Sequence, residues 1–174
     1  VLEFQVDPSG AGVYFRIDRD ADEAYQLFAV GFEGTEPPLE VSGPRVAGGS
    51  VQPGWALSPS DGRVVFVADA LIDEHFQLFS TSVSGARVLL SDRARGSVAR
   101  FLTTPGAERA LYLADGTTPG RVEAYSAAID GPNHAPRLNP PAAEIGHMAL
   151  LPDGSRALLR TADSGEIFSV PMDG

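Results

Sequence analysis

The sequence has no cysteine and no lysine, and only one tryptophan and two methionines in 174 residues. Without cysteine there is no disulfide, no thiolate metal site and no cysteine nucleophile, and the redox compartment stays open. Without lysine all thirteen positive charges are arginines, scattered along the chain, which reads as a coding bias and not as a basic surface. Against 23 acidic residues they leave a formal net charge of −10. That excludes the clustered basic surface a phosphate backbone requires, so no nucleic-acid partner is expected. No apolar run approaches the roughly 18 residues needed to cross a bilayer, so no membrane span is expected. No charged segment leads into an apolar one at the start, so a signal peptide is absent or already removed. Val1 is not an initiator, which points to a processed chain or an excised fragment. No stretch of about 12 residues keeps a 3.6-residue period, so little or no helix is expected.

What is present is a repeat. Trp55 to Leu90 holds four short apolar runs: Trp55-Ala56-Leu57, Val64-Val65-Phe66-Val67, Phe76 to Val83, and Arg87-Val88-Leu89-Leu90. Turns rich in Pro, Gly, Asp and Ser separate them, the pattern of an antiparallel meander. The turn proline recurs at Pro8, Pro59, Pro105 and Pro152, 51, 46 and 47 residues apart. The third run recurs as Tyr25-Gln26-Leu27-Phe28, Phe76-Gln77-Leu78-Phe79, Val122-Glu123-Ala124-Tyr125 and Glu166-Ile167-Phe168. Its closing glycine recurs at Gly34, Gly85, Gly131 and Gly174. A period of roughly 40 to 50 residues with four strands per unit specifies an all-β propeller, not a helical solenoid.

The expected division is a single propeller domain or fragment, 1–174, with blades at about 1–45, 46–92, 93–141 and 142–174. Pro37-Pro38 confines the fourth strand of the first unit to a short edge near Leu39 to Val41. Gly43 to Gly54 reads as a crossover loop, with an inner strand beginning near Val51. In the third unit Pro132, Pro136, Pro140 and Pro141 leave only Arg137-Leu138 to pair as an outer strand. The fourth unit ends at Gly174 without one, so fifteen strands are expected where four full blades need sixteen.

Ser58-Pro59-Ser60-Asp61-Gly62, Val64-Val65-Phe66 and Phe76-Gln77-Leu78-Phe79 resemble the TolB-like (WD40-like) propeller repeat, with Trp55, Pro59, Asp61 and Gly62 on its first block. Asp18-Arg19-Asp20, Asp130-Gly131, Asp173-Gly174, Arg87-Val88-Leu89 and Arg137-Leu138 match its later blocks. Ser60 is inserted before Asp61, and Gly106-Ala107-Glu108 stands where Asp-Gly is expected. The resemblance implies six or more blades in an intact ring, a periplasmic or extracellular place in a bacterial envelope, and a non-catalytic binding or scaffold module for a protein or peptide. An open arc leaves two apolar blade faces in water, so another chain or further blades are expected to complete the ring. The resemblance also implies an alternative, the gating propeller of a larger hydrolase such as a prolyl-oligopeptidase-like peptidase.

Few constellations carry chemistry. No G-x-S-x-G elbow, H-E-x-x-H pair or glycine-rich phosphate loop occurs, so no catalytic residue and no cofactor are expected. Asp18, Asp20 and Asp22 alternate like calcium ligands, but Glu23 and Ala29 stand where an EF-hand has Gly and Glu; a solvated turn is the preferred reading over a calcium-stabilised propeller. The loops between second and third strands, with the crossovers, are expected to share one face carrying Asp69, Asp73, Asp115 and Asp163 beside Asp18, Asp20, Asp22 and Glu74. Such a face would attract cations or a basic peptide, although ordinary solubilising charge explains the same residues. His75, His134 and His147 lack metal-ligand spacing, and His75 and His147 are candidates for that face.

Overall fold

The computed structural model describes residues 3–83, 86–92, 96–115, 120–131 and 135–174. Among them every regular element is a strand, in four antiparallel sheets. The chain divides into two compact units, Val1–Val88 and Leu89–Gly174.

In the first unit, β1 (Glu3–Val6), β2 (Gly12–Ile17), β3 (Gln26–Gly31) and β4 (Leu39–Glu40) pair in chain order, followed by β5 (Ala56–Leu57), β6 (Val64–Ala68), β7 (Gln77–Thr81) and β8 (Val88–Leu89). The inner strand expected from Val51 is interrupted. Val51 makes an isolated bridge to Ala68, and ladder pairing begins at Ala56. Pro53 has no N–H to donate and Gly54 turns the chain at φ 83°, so pairing cannot run through them. The two sheets are tied by side chains: Gln5 donates to the Trp55 carbonyl at 3.0 Å, Tyr14 to Gly62 at 3.1 Å and Arg16 to Val51 at 3.2 Å.

The second unit has β9 (Val98–Thr103), β10 (Arg109–Asp115) and β11 (Val122–Ala128) in one sheet, and β12 (Ile145–Leu150), β13 (Arg156–Thr161) and β14 (Ile167–Pro171) in the other. Fourteen strands are described, not fifteen. The outer strand at Arg137-Leu138 shrinks to one bridge, Tyr125 to Arg137, and a 2.8 Å bond from Leu138 N to Ala124 O. The flanking prolines offer no further donors, and Asn139 replaces the ladder by accepting from Ala124 N at 2.8 Å. The last sheet is three-stranded, as expected. The expected closing turn at Ser84-Gly85 lies outside the described residues.

Each of the first three sheets stacks an aromatic pair across its second and third strands: Phe15 on Phe28, Phe66 on Phe79, Tyr112 on Tyr125, with centroids 5.8, 5.7 and 5.4 Å apart. The recurring aromatics therefore pack first within their own sheet, as cross-strand pairs. Leu111, Leu113 and Ala124 of one sheet bury against Met148, Ala157, Leu159 and Met172 of the next.

A second device recurs across these same strands. Four residues after each turn proline, an arginine reaches a serine on the third strand: Arg63 to Ser80 at 3.5 Å, Arg109 to Ser126 at 2.9 Å and Arg156 to Ser169 at 2.7 Å. In the first sheet the corresponding residues are Gly12 and Ala29. No side chain fits at Gly12, because a Cβ there would lie 2.3 Å from the Val30 carbonyl oxygen.

Candidate functional site

The crossover from Gly43 to Gly54 stitches two strand-connecting loops of the first unit into one surface. Ser50 is the central pin: its N–H donates to Asp69 Oδ1 at 2.6 Å, its hydroxyl donates to the Glu23 carbonyl at 3.2 Å, and that oxygen accepts from Tyr25 N at 3.0 Å. Val46 N donates to Ala70 O at 3.0 Å, and Arg45 lies 3.9 Å from Asp20 and 3.1 Å from Glu40.

Carboxylates that look alike in sequence take different roles here. Asp69 is 5% exposed, and its second oxygen accepts from Glu74 N at 3.2 Å. A buried carboxylate holding two backbone amides is a structural clamp and not a docking group. Asp20 is also engaged, by Arg45 and by the Gln26 amide at 2.5 Å, and Gln26 in turn accepts from Arg19 N. Gln77, at the equivalent place on β7, is buried without a partner for its amide, because Leu71 replaces Asp20 in its loop. Asp22, Glu23, Asp73 and Glu74 are exposed carboxylates of the two loops, as is the Arg45-paired Asp20, while Asp18 is half-buried.

Glu23 and Glu74 share a backbone feature that sequence reasoning did not find. Both hold positive φ, 61° and 56°, and they sit 51 residues apart at the same point of their loops. Left-handed backbone costs a non-glycine residue about 1–2 kcal/mol, so each loop carries strain at an exposed acidic side chain. The signal available in sequence was spacing: the two glutamates repeat with the same interval as Pro8 and Pro59.

Asp18, Asp20 and Asp22 do not converge with other ligating side chains. Among the described residues no group of three His, Cys, Asp or Glu is placed to hold a metal ion. Millimolar calcium should therefore leave the melting temperature unchanged, and EDTA should do the same. A reversible rise with calcium in differential scanning calorimetry would restore the calcium-stabilised reading.

Of the remaining candidates His75 directly follows Glu74 in the second loop, and the others belong to the second unit. His75 N donates to Ile72 O at 3.1 Å, and its ring Nε2 is buried without a partner. In the second unit Asp115 closes β10 against Gly96, Asp163 is exposed and accepts from Ser164 N at 2.7 Å, and His147 is exposed on β12, in register with Arg160. His134 lies outside the described residues. No helix among the described residues is long and apolar enough to cross a membrane.

No family model matches the sequence, and no curated protein matches it either. Solved structures do. A putative TolB from Agrobacterium tumefaciens superposes with TM-score 0.60 at 14% identity, covering 95% of this chain and 63% of its own. TolB from Acinetobacter baumannii gives 0.54 at 13%, covering 97% and 44%, and puromycin hydrolase gives 0.55 at 19%, covering 91% and 29%. The chain thus spans less than two thirds of each of these proteins, and at such identities the likeness is one of fold. Four consecutive antiparallel sheets, each with the same kind of turn between its first two strands, and these superpositions together establish that the chain has the β-propeller fold seen in TolB.

Proposed function

We propose that residues 1–174 act as one non-catalytic propeller domain that binds a protein or peptide of basic character through the loop surface of the first unit. The observation that carries this reading is the pair Glu23 and Glu74. Two equivalent loops, pinned from beneath by Ser50, Asp69 and Arg45, each present an exposed glutamate on a backbone conformation that glycine would adopt at lower cost. Acidic side chains on rigid loops supply electrostatic complementarity with little ordering cost on binding. The fold likeness to TolB supports an envelope setting, periplasmic or extracellular.

The same likeness extends to puromycin hydrolase, which supports a second reading: a propeller that serves a larger hydrolase. In both readings this segment binds and does not catalyse. An exposed apolar side also fits association with further blades or with another copy. Phe4 and Val6 are 68% and 54% exposed on the side of the first sheet that carries Phe15 and Val13.

The test uses hexa-arginine followed by ¹H–¹⁵N correlation spectra. Shifts should concentrate at residues 22–23 and 73–74. The double variant Glu23→Gly, Glu74→Gly should weaken binding by about tenfold or more, while each glycine relieves about 1–2 kcal/mol of left-handed strain against about 0.4–1 kcal/mol of added unfolded-chain entropy, so that stability does not fall. Unchanged affinity in that variant, or shifts confined to other residues, defeats the loop-surface reading.

A further inference from the structure

We propose that the seam between the first two sheets is a docking groove for an extended peptide segment carrying one arginine flanked by apolar side chains. This rests on the reading of the chain as a binding module, but not on its loop surface. The groove lies where the crossing arginine–serine pair of the other sheets is missing. Two observations define it.

First, the corresponding seam in the second unit is closed. Met172, four residues after Phe168, is 3% exposed, and its carbonyl accepts from Ser126 Oγ at 2.5 Å. Val83, four residues after Phe79, is 47% exposed, and the residue across from it in the Ser126 position is Ala29, which has no hydroxyl. Leu39, in register with Ala29, is 50% exposed as well. Gly12 cannot take the arginine that its counterparts carry, so among the described residues no such pair fills this seam from within.

Second, the opening has the volume and charge for what is missing. Three cavities of about 310, 370 and 430 Å³ meet at Val83. The first is walled by Gly12, Ala29 and Pro37, with the carboxylates of Asp7 and Glu36. Asp61 and Glu40, on the adjoining walls, are held by Arg63 at 3.6 Å and Arg45 at 3.1 Å. Asp7 Oδ1 accepts from Ser9 N and Ser9 Oγ at 2.8 and 2.7 Å, but no ion pair is described for Asp7 or Glu36, which leaves Asp7 Oδ2 and the Glu36 carboxylate for an incoming cation. Among the described residues the one arginine on these walls, Arg87, is committed to the carbonyls of Ser42 and Pro44 and stacks over Phe79. The negative potential reaches Tyr14 between the sheets: burial first, then Asp7 and Asp61, push its hydroxyl above the usual tyrosine range. An arginine is the better fit than a lysine, because a planar guanidinium pairs bidentately with a carboxylate and keeps further N–H donors for a second acceptor. Leu39 and Val83 then offer apolar contact to the neighbouring side chains of the peptide.

The probe is an acetylated, amidated nine-residue peptide, Gly-Ser-Gly-Leu-Arg-Leu-Gly-Ser-Gly, with a counterpart in which citrulline replaces the arginine. Titrations are run by calorimetry on the Glu23→Gly, Glu74→Gly protein, so that the loop surface contributes nothing. The arginine peptide should bind, and citrulline should weaken it about tenfold or more. Asp7→Asn, whose amide oxygen can still accept from Ser9, with the exposed Glu36→Gln should cost a similar factor, and Ala29→Arg should abolish binding by supplying the plug in cis. Equal affinity for the two peptides, or full binding to the Asp7→Asn, Glu36→Gln protein, overturns the proposal. Absence of binding overturns it too. If hexa-arginine still binds the wild-type loops in that case, the binding-module reading survives and only the groove is lost.

Discussion

Replacing Arg137 with alanine should lower stability by about 3–5 kcal/mol, a loss out of proportion to a residue in a single bridge. The reason lies beneath it. Glu123 is 1% exposed on β11, with Arg137 Nη1 3.1 Å from its Oε1 and the Tyr125 hydroxyl donating to its Oε2 at 2.5 Å. Arg137 is itself well covered, its side chain 28% exposed, so the pair is shielded from the solvent screening that makes surface ion pairs nearly worthless. Alanine there takes the Arg137 guanidinium away from a buried carboxylate. Pairing Arg137→Ala with Glu123→Gln should recover more than half of the loss, because the charge goes with its partner. Hydrogen exchange locates the damage. The Leu138 amide, bonded to Ala124 O at 2.8 Å, should lose protection, whereas Val41, whose amide makes the same 2.8 Å bond to Leu27 in the first sheet, should not. A urea midpoint corresponding to less than about 1 kcal/mol would show instead an ordinary exposed pair.

That outer edge shows how far the sequence could be read. The prolines around Arg137 and Leu138 marked it as the weakest strand, since proline cannot donate, and a lone bridge is what remains. Turn prolines and the third-strand pattern located the sheets for the same kind of reason: turn chemistry and strand alternation act over a few residues. The loop surface was legible only as a region. Asp69 and Asp73 sit four residues apart in one acidic loop, yet one is a buried clamp and the other exposed. The difference comes from Ser50, whose amide arrives from a separate crossover, and no local pattern encodes that meeting. The groove was in principle more visible. Arg63, Arg109 and Arg156 each follow their turn proline by four residues, and so does Gly12. The break in that series marks the open seam, but its meaning required seeing which serines the other three arginines reach.

The turn glycines provide the sharpest test of the repeat, because one conformation recurs in four different surroundings. Gly10, Gly62 and Gly154 close the first turn of their sheets at φ 76°, 65° and 71°, and Ala107 takes the same place at 54°. A methyl at Gly10 meets nothing within 4 Å, so Gly10→Ala should cost only the left-handed penalty, about 1–2 kcal/mol. A methyl at Gly154 would lie 2.7 Å from Pro105 Cδ and 3.0 Å from Thr104 Cβ, atoms of the neighbouring turn that have little room to move. Gly154→Ala should therefore add about 1–3 kcal/mol of overpacking to that penalty and reach about 2–5 kcal/mol in all. Ala107→Gly relieves strain but removes a methyl from a residue 2% exposed, terms near 1 kcal/mol each, so its net change should fall close to zero. Urea midpoints for the three variants decide the matter. Equal losses at Gly10 and Gly154 would mean that the neighbouring turns are not packed against each other, and the close contact that locks the last two sheets of the repeat together would fall with that result.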